Sequence, residues 1–107
     1  MEYDFRVQLA EQAKQDLHNI YEYIAFTLLA PVIARNLKQR IVDRLYSLNE
    51  MPYRYPLYQE EPWRSRGLRR IDIENYSGFY LVTENKVQVI RIVYSGRDIS
   101  NILKESD

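Results

Sequence analysis

Arginine and tyrosine are the residues in this chain whose chemistry could serve a site. The sequence holds ten tyrosines, and Arg64, Arg66, Arg69, Arg70 and Arg97 punctuate its second half. Guanidinium forks suit phosphates and carboxylates alike, while phenols add hydrogen bonds and flat apolar surface. Such residues fit an interface, or an acid–base site on RNA that uses neither metal nor histidine. Other chemistries are excluded by count. With no cysteine and one histidine, disulfides, thiol nucleophiles and conventional zinc sites are out, and no cofactor or metal is expected. His18 falls beside Leu17 within a helical pattern, the position of a surface or boundary histidine. Three scattered glycines cannot build a phosphate-cradling loop. Asp16 with Glu22, or Asp72 with Glu74, stand at spacings common to any solvated face and give no signal of paired carboxylates.

The elements that must position these residues follow from periodicity. Residues 2–9 alternate, with Tyr3, Phe5, Val7 and Leu9 on one side, which predicts a strand with one wet face. Ala13, Leu17, Ile20, Ile24 and Leu28 then form the stripe of an amphipathic helix. It should stop near Leu29, because Pro31 pushes Ala30 out of the helical region, and Pro31 can open a second helix at its first position. Ala34, Leu37, Ile41, Leu45 and Leu48 carry that helix to Met51-Pro52. So short a connection makes the pair an antiparallel hairpin. Residues 52–66 have no period but hold three prolines, three tyrosines and Trp63. This reads as a loop pinned by its own aromatics or as a binding loop.

After Gly67 the strand period returns. Leu68–Glu74 places Arg69, Ile71 and Ile73 on one face, and residues 75–78 carry turn chemistry. Phe79–Thr83 and Lys86–Tyr94 are further strands about a tight Glu84-Asn85 turn; the last is apolar on both faces from Val89 onward, so it belongs inside the sheet. Ser95-Gly96 ends it, and Asp98–Leu103 adds a helical turn or a tail. The order β-α-α-β-β-β predicts an α+β fold, an antiparallel sheet with a helical hairpin on one face.

Size and charge frame this reading. The 107 residues and 12.9 kDa suit a single domain over 1–107 with one modest core. No apolar run approaches the ~20 residues of a membrane span, and the acidic start is unlike a signal peptide, so a cytoplasmic protein is expected. Net charge is zero, which argues against coating nucleic acid by charge alone. Yet residues 31–70 hold nine basic and four acidic side chains, enough to build a basic face on a neutral molecule.

The whole chain resembles the RelE/ParE superfamily of type II toxin–antitoxin toxins. The resemblance rests on Ala13-Lys-Gln-Asp16-Leu17 with Ile20-Tyr-Glu-Tyr23-Ile24, on Leu48-Asn-Glu-Met-Pro52, and on Leu68-Arg69-Arg70-Ile71. Val89-Ile-Arg91-Ile-Val-Tyr-Ser-Gly96-Arg97-Asp98 with Ile102-Leu103 completes it. Each piece is degenerate; their order and spacing make the match. RelE-like members are ribosome-dependent mRNA endonucleases, with basic residues on the strand after the loop, an arginine past the hairpin, another after the last strand and a late tyrosine. Here those positions hold Ile71, Ile73, Tyr80 and Leu103, and only Arg97 remains. The retained Leu68-Arg69 and Ser95-Gly96-Arg97-Asp98 are more similar to the ParE branch, whose members poison DNA gyrase by binding.

The resemblance therefore implies a toxin of a plasmid-stabilisation or stress module that binds DNA gyrase. The partner it implies is a small acidic antitoxin, laid along grooves by the hairpin and sheet in a hetero-oligomer. Arg64, Arg66, Arg69, Arg97 and Tyr94 are selected as target-binding residues. No catalytic set is assigned; were the chain an mRNA endonuclease on the ribosome, Arg69, Arg70 and Arg97 would be its candidates. A non-toxic α+β interaction module is the third alternative.

Overall fold

The structure is a computed structural model and describes residues 4–105. Strand β1 (Arg6–Leu9) leads into helix α1 (Glu11–Glu22), a π-helical turn (Tyr23–Thr27) and helix α2 (Pro31–Tyr46). Two 3₁₀ turns, Ser47–Asn49 and Pro52–Arg54, precede the loop to strand β2 (Arg69–Ile73). Strands β3 (Tyr76–Val82) and β4 (Lys86–Tyr94) and helix α3 (Ile99–Glu105) complete the chain. The sheet order is β1-β4-β3-β2, so the doubly apolar strand does lie inside. The meander is antiparallel, but β1 runs parallel to β4, with Val7 opposite Val87. A sheet antiparallel throughout is thus corrected to a mixed one; the crossover through both helices allows β1 to enter in the parallel sense.

The helical hairpin packs on one face. Ala13, Leu17, Leu37, Ile41, Leu45 and Leu48 meet Ile71, Ile73, Tyr80, Val87 and Val89 in one core. Each fully buried aliphatic side chain there is worth roughly 1.5–3 kcal/mol. Gly78 permits the close approach of α2: a Cβ there would stand 3.0 Å from Leu45 Cδ2 and 3.2 Å from Ile71 Cγ2. This explains why the 75–78 turn is misplaced in the sequence reading. Ser77 and Gly78 belong to β3, and the two-residue turn is Glu74-Asn75, with Glu74 at φ 58. The opposite face is not bare. Loop residues Tyr58 and Trp63 join Leu68, Phe79, Val93 and α3's Leu103 in a second core.

Two further expectations shift. The predicted strand 2–9 begins at Arg6 among the described residues; Tyr3 lies outside them. Leu28 leaves the predicted stripe and is 55% exposed. The π turn explains it: Leu28 N–H donates to Tyr23 C=O at 3.0 Å, five residues back, and the extra residue rotates the stripe away from the core. The 52–66 segment is pinned, as its aromatics suggested. Tyr58 N–H donates to Leu68 C=O at 2.8 Å and Arg70 N–H to Pro56 C=O at 3.1 Å, covering part of the β2 edge.

Candidate functional site

A groove of about 760 Å³ opens where β4 leaves the sheet between α1 and α3. Its floor is an ion pair. Arg91 Nε donates to Asp16 Oδ2 at 2.8 Å and Nη2 to Oδ1 at 3.1 Å; the side chains are only 13% and 8% exposed. Ile92 N–H also donates to Asp16 Oδ2 at 2.9 Å, and Arg91 Nη1 to Ile102 C=O at 3.3 Å. One bidentate pair thereby joins α1, β4 and α3. Gln12 Nε2 also donates to Asp16 Oδ1 at 3.2 Å, and added hydrogen bonds of this kind keep a buried pair from being a liability. Asp16 and Arg91 were not selected from sequence as site residues. Their signal was present: a charge inside the α1 stripe and another inside the apolar run of β4.

The rim carries Tyr23, Tyr76, Tyr94 and Arg97. Tyr76 and Tyr94 sit opposite each other across β3 and β4, with ring centroids 5.7 Å apart at 71°. Burial pushes the Tyr76 phenol above its ordinary value, and the nearby Tyr94 and Tyr23 add to the effect. It stays a neutral hydrogen-bonding group rather than a base. Gly96 shapes the rim differently from the expected backbone turn. It has no positive φ; instead a Cβ there would stand 2.7 Å from Tyr94 Cε2, so its bare Cα lets the ring fold back. Arg97 is exposed, and among the described residues its side chain has no ion-pair partner. A free guanidinium beside three phenols can bind carboxylate, amide and aromatic groups.

The other selected residues stand elsewhere. Arg69 Nη1 donates to the Tyr53 and Tyr55 carbonyls at 3.2 and 2.6 Å, tying the loop to β2 rather than pairing with an acid. Arg70 Nε donates to Asp72 Oδ1 at 2.9 Å. Partial burial pushes that carboxyl up, but hydrogen bonds from Arg70 and Ser77 more than offset it, and Asp72 ends below its ordinary value. Arg66 stacks 5.0 Å over the Trp63 ring, and Arg64 is exposed on the turn that carries Trp63. Of the five residues selected for target binding, Arg97 and Tyr94 line the groove and Arg64, Arg66 and Arg69 do not. His18 is exposed, 3.3 Å from Glu22 Oε1.

The positions compared with the RNA-cleaving branch are closed. Ile71, Ile73, Tyr80 and Leu103 are each at most 1% exposed. Tyr80 OH donates to Pro52 C=O at 2.6 Å, and burial pushes this phenol up to about 12. No helix among the described residues is long and apolar enough to cross a membrane.

Comparison with known proteins bears on the fold and the family. The chain is similar to the chromosomal ParDE TA system of P. aeruginosa, with TM-score 0.71 and 24% identity over 84% of this chain and 95% of that one. It is similar also to the toxin–antitoxin complex RelBE2 of Mycobacterium tuberculosis, with TM-score 0.62 and 18% identity over 86% and 92%. At these identities the likeness speaks for the fold. No curated protein matches the chain. The family model for the ParE toxin of the type II toxin–antitoxin system parDE matches residues 7–99, and the chain belongs to that toxin family.

Proposed function

We propose that this toxin arrests growth by binding DNA gyrase in the cytoplasm, as one domain, with Arg97 and Tyr94 at the centre of its target-binding surface. The observation that carries the reading is the burial of Ile71, Ile73, Tyr80 and Leu103, where an mRNA endonuclease of this superfamily needs charge and a proton-transfer group. A metal-free nuclease must hold the scissile phosphate with cations and move a proton. Side chains packed in two cores reach no phosphodiester. The exposed arginine and tyrosines of the groove are instead the residue types that dominate binding hot spots.

A cognate antitoxin completes the reading. Phe26, Leu29, Val32 and Ile33 at the apex of the helical hairpin are 65%, 81%, 58% and 63% exposed. Large apolar side chains exposed together at one end of a domain mark a surface that a partner covers, and an amphipathic antitoxin segment would lie along it. The deciding experiment adds purified protein to a translated message and to a gyrase supercoiling reaction. Inhibited supercoiling with an intact message supports the proposal. Codon-positioned cuts in the message would return the chain to the RelE-like alternative, and the absence of both effects would favour a non-toxic module.

A further inference from the structure

Strand β4 has nine residues and its neighbour β1 only four. They pair over Lys86–Val89; the chain then turns into α1, and among the described residues no strand lies beside the later half of β4 on that side. The register with β3 fixes which backbone groups face this gap. Ser95 N–H donates to Asn75 C=O at 2.8 Å, and opposed residues of an antiparallel ladder alternate between bonded and non-bonded pairs. Ser77 and Val93 are therefore a bonded pair, while Ile92 and Tyr94 turn their N–H and C=O groups away from β3. Two of those four groups are engaged. Ile92 N–H donates to Asp16 Oδ2 at 2.9 Å, and Tyr94 C=O accepts from Arg97 N–H at 3.0 Å. Among the described residues Ile92 C=O and Tyr94 N–H have no partner, and both residues line the groove.

The two groups left over select a direction. An antiparallel strand would exchange both of its bonds with Ile92 or with Tyr94, and each of these has one group already engaged. A parallel strand instead uses the C=O of one residue and the N–H of the residue two further on. Strand β1 does this: Arg6 stands opposite Lys86 and donates to Asn85 C=O at 2.8 Å. A residue placed opposite Val93 would donate to Ile92 C=O and accept from Tyr94 N–H in the same way. The Asp16 carboxylate takes the place of a strand carbonyl at Ile92 N–H, so it ends the track of β1 without closing the edge beyond.

We propose that an extended segment of the target protein enters this gap as a short strand parallel to β4, continuing the track that β1 leaves. One of its residues, opposite Val93, exchanges two main-chain hydrogen bonds with Ile92 and Tyr94, which set direction and register as in other cases of strand addition. Arg97 and the Tyr76 and Tyr94 rings hold the side chains that flank it. The inference rests on the reading of the groove as the target-binding surface and adds the form in which the target is bound.

The test removes the Tyr94 N–H. It makes no ladder bond, so proline is tolerated there as at a sheet edge, and Tyr94→Ala measures the loss of the ring separately. In a gyrase supercoiling reaction Tyr94→Pro should inhibit about tenfold more weakly than Tyr94→Ala, the effect of one hydrogen bond left unmade. Circular dichroism checks that both variants are folded. A second measurement uses the parent chain and decides alone if the proline variant unfolds. Hydrogen exchange at single-residue resolution should find the Tyr94 amide fast in the free protein and slowed about tenfold or more by bound gyrase, as an amide gaining a hydrogen bond is. The Ser95 amide, already bonded to Asn75, should change little. Equal inhibition by two folded variants, or a Tyr94 amide that stays fast in an inhibiting complex, would overturn the added strand and leave the target reading in place. A Tyr94 amide protected in the free protein, with a dimer in sedimentation, would give the edge to a second copy and overturn it too. A parent chain without effect on supercoiling would overturn both readings together.

Discussion

Two regions of this molecule are built from arginine and tyrosine, and they differ in where each guanidinium finds its oxygen. In the groove, Arg91 meets the Asp16 carboxylate almost out of solvent, while Arg97 at the rim meets none among the described residues. At the start of β2, Arg69 is bound by loop carbonyls and helps to hold the Pro52–Tyr55 segment in place. Below it Tyr80 hydrogen-bonds Pro52 C=O inside the core. Residue type alone therefore says little about role. A paired and buried arginine is a joint between elements, a carbonyl-bound one is a loop anchor, and an unpaired exposed one is available to a partner.

The sharpest way to break this comparison is at the groove floor. Asp16→Ala leaves Arg91 charged, largely buried and without its carboxylate, and should cost about 3–5 kcal/mol. That is a large share of a stability of roughly 5–15 kcal/mol. The urea midpoint, compared at constant m, reads it directly. A loss under about 1 kcal/mol would show that the pair is not the joint between α1, β4 and α3.

The next effect tests the β2 corner by pH. Tyr80 is pushed up to about 12 in the folded protein, first by burial, whereas an unfolded tyrosine titrates near 10. A group with its folded value raised contributes stability that is fully present below the unfolded value and is lost as pH rises through the folded one. Here the loss runs from about pH 10 to 12 and amounts to about 2–3 kcal/mol. Tyr80→Phe should abolish this alkaline step and cost about 1 kcal/mol near neutrality, since Pro52 C=O loses its donor. Melting temperatures across that range in both proteins decide it. An identical alkaline slope would place the Tyr80 hydroxyl in contact with solvent.

How much of this was legible in the sequence depended on the range of the interaction. The α2 stripe of Ala34, Leu37, Ile41, Leu45 and Leu48 and the interior place of β4 were readable because periodicity is local. The π turn was not, since one extra residue in a helix leaves no mark on composition, and it carried Leu28 off the stripe. Gly78 read as turn chemistry because its real cause, the approach of Leu45 from α2, is a contact between distant segments. The site was split by the same limit. Arg97 and Tyr94 were readable as neighbours along the chain, whereas Asp16 and Arg91 meet across 75 residues. The loop's aromatics showed that it could be pinned, but not where: that Tyr58 and Trp63 close the second face of the sheet with Leu103 is again a contact between distant segments.

The smallest expected change in stability belongs to Arg97, and there the functional change should be largest. Its side chain is exposed, and its backbone N–H bonds Tyr94 C=O at 3.0 Å whatever the side chain. Arg97→Ala should therefore cost no more than about 0.5 kcal/mol of stability. If the rim is the target-binding surface, the same change removes a cation with no ion-pair partner among the described residues and should weaken supercoiling inhibition by about thirtyfold, the effect of a hot-spot residue worth about 2 kcal/mol. Arg97→Lys keeps the charge but not the planar fork, so an intermediate loss would show that the target presents a paired acceptor such as a carboxylate. Growth arrest on induced expression, beside the purified assay, completes the measurement. A variant that unfolds would make Arg97 a structural residue like Arg91, and one as inhibitory as the parent would move the target-binding surface away from this groove.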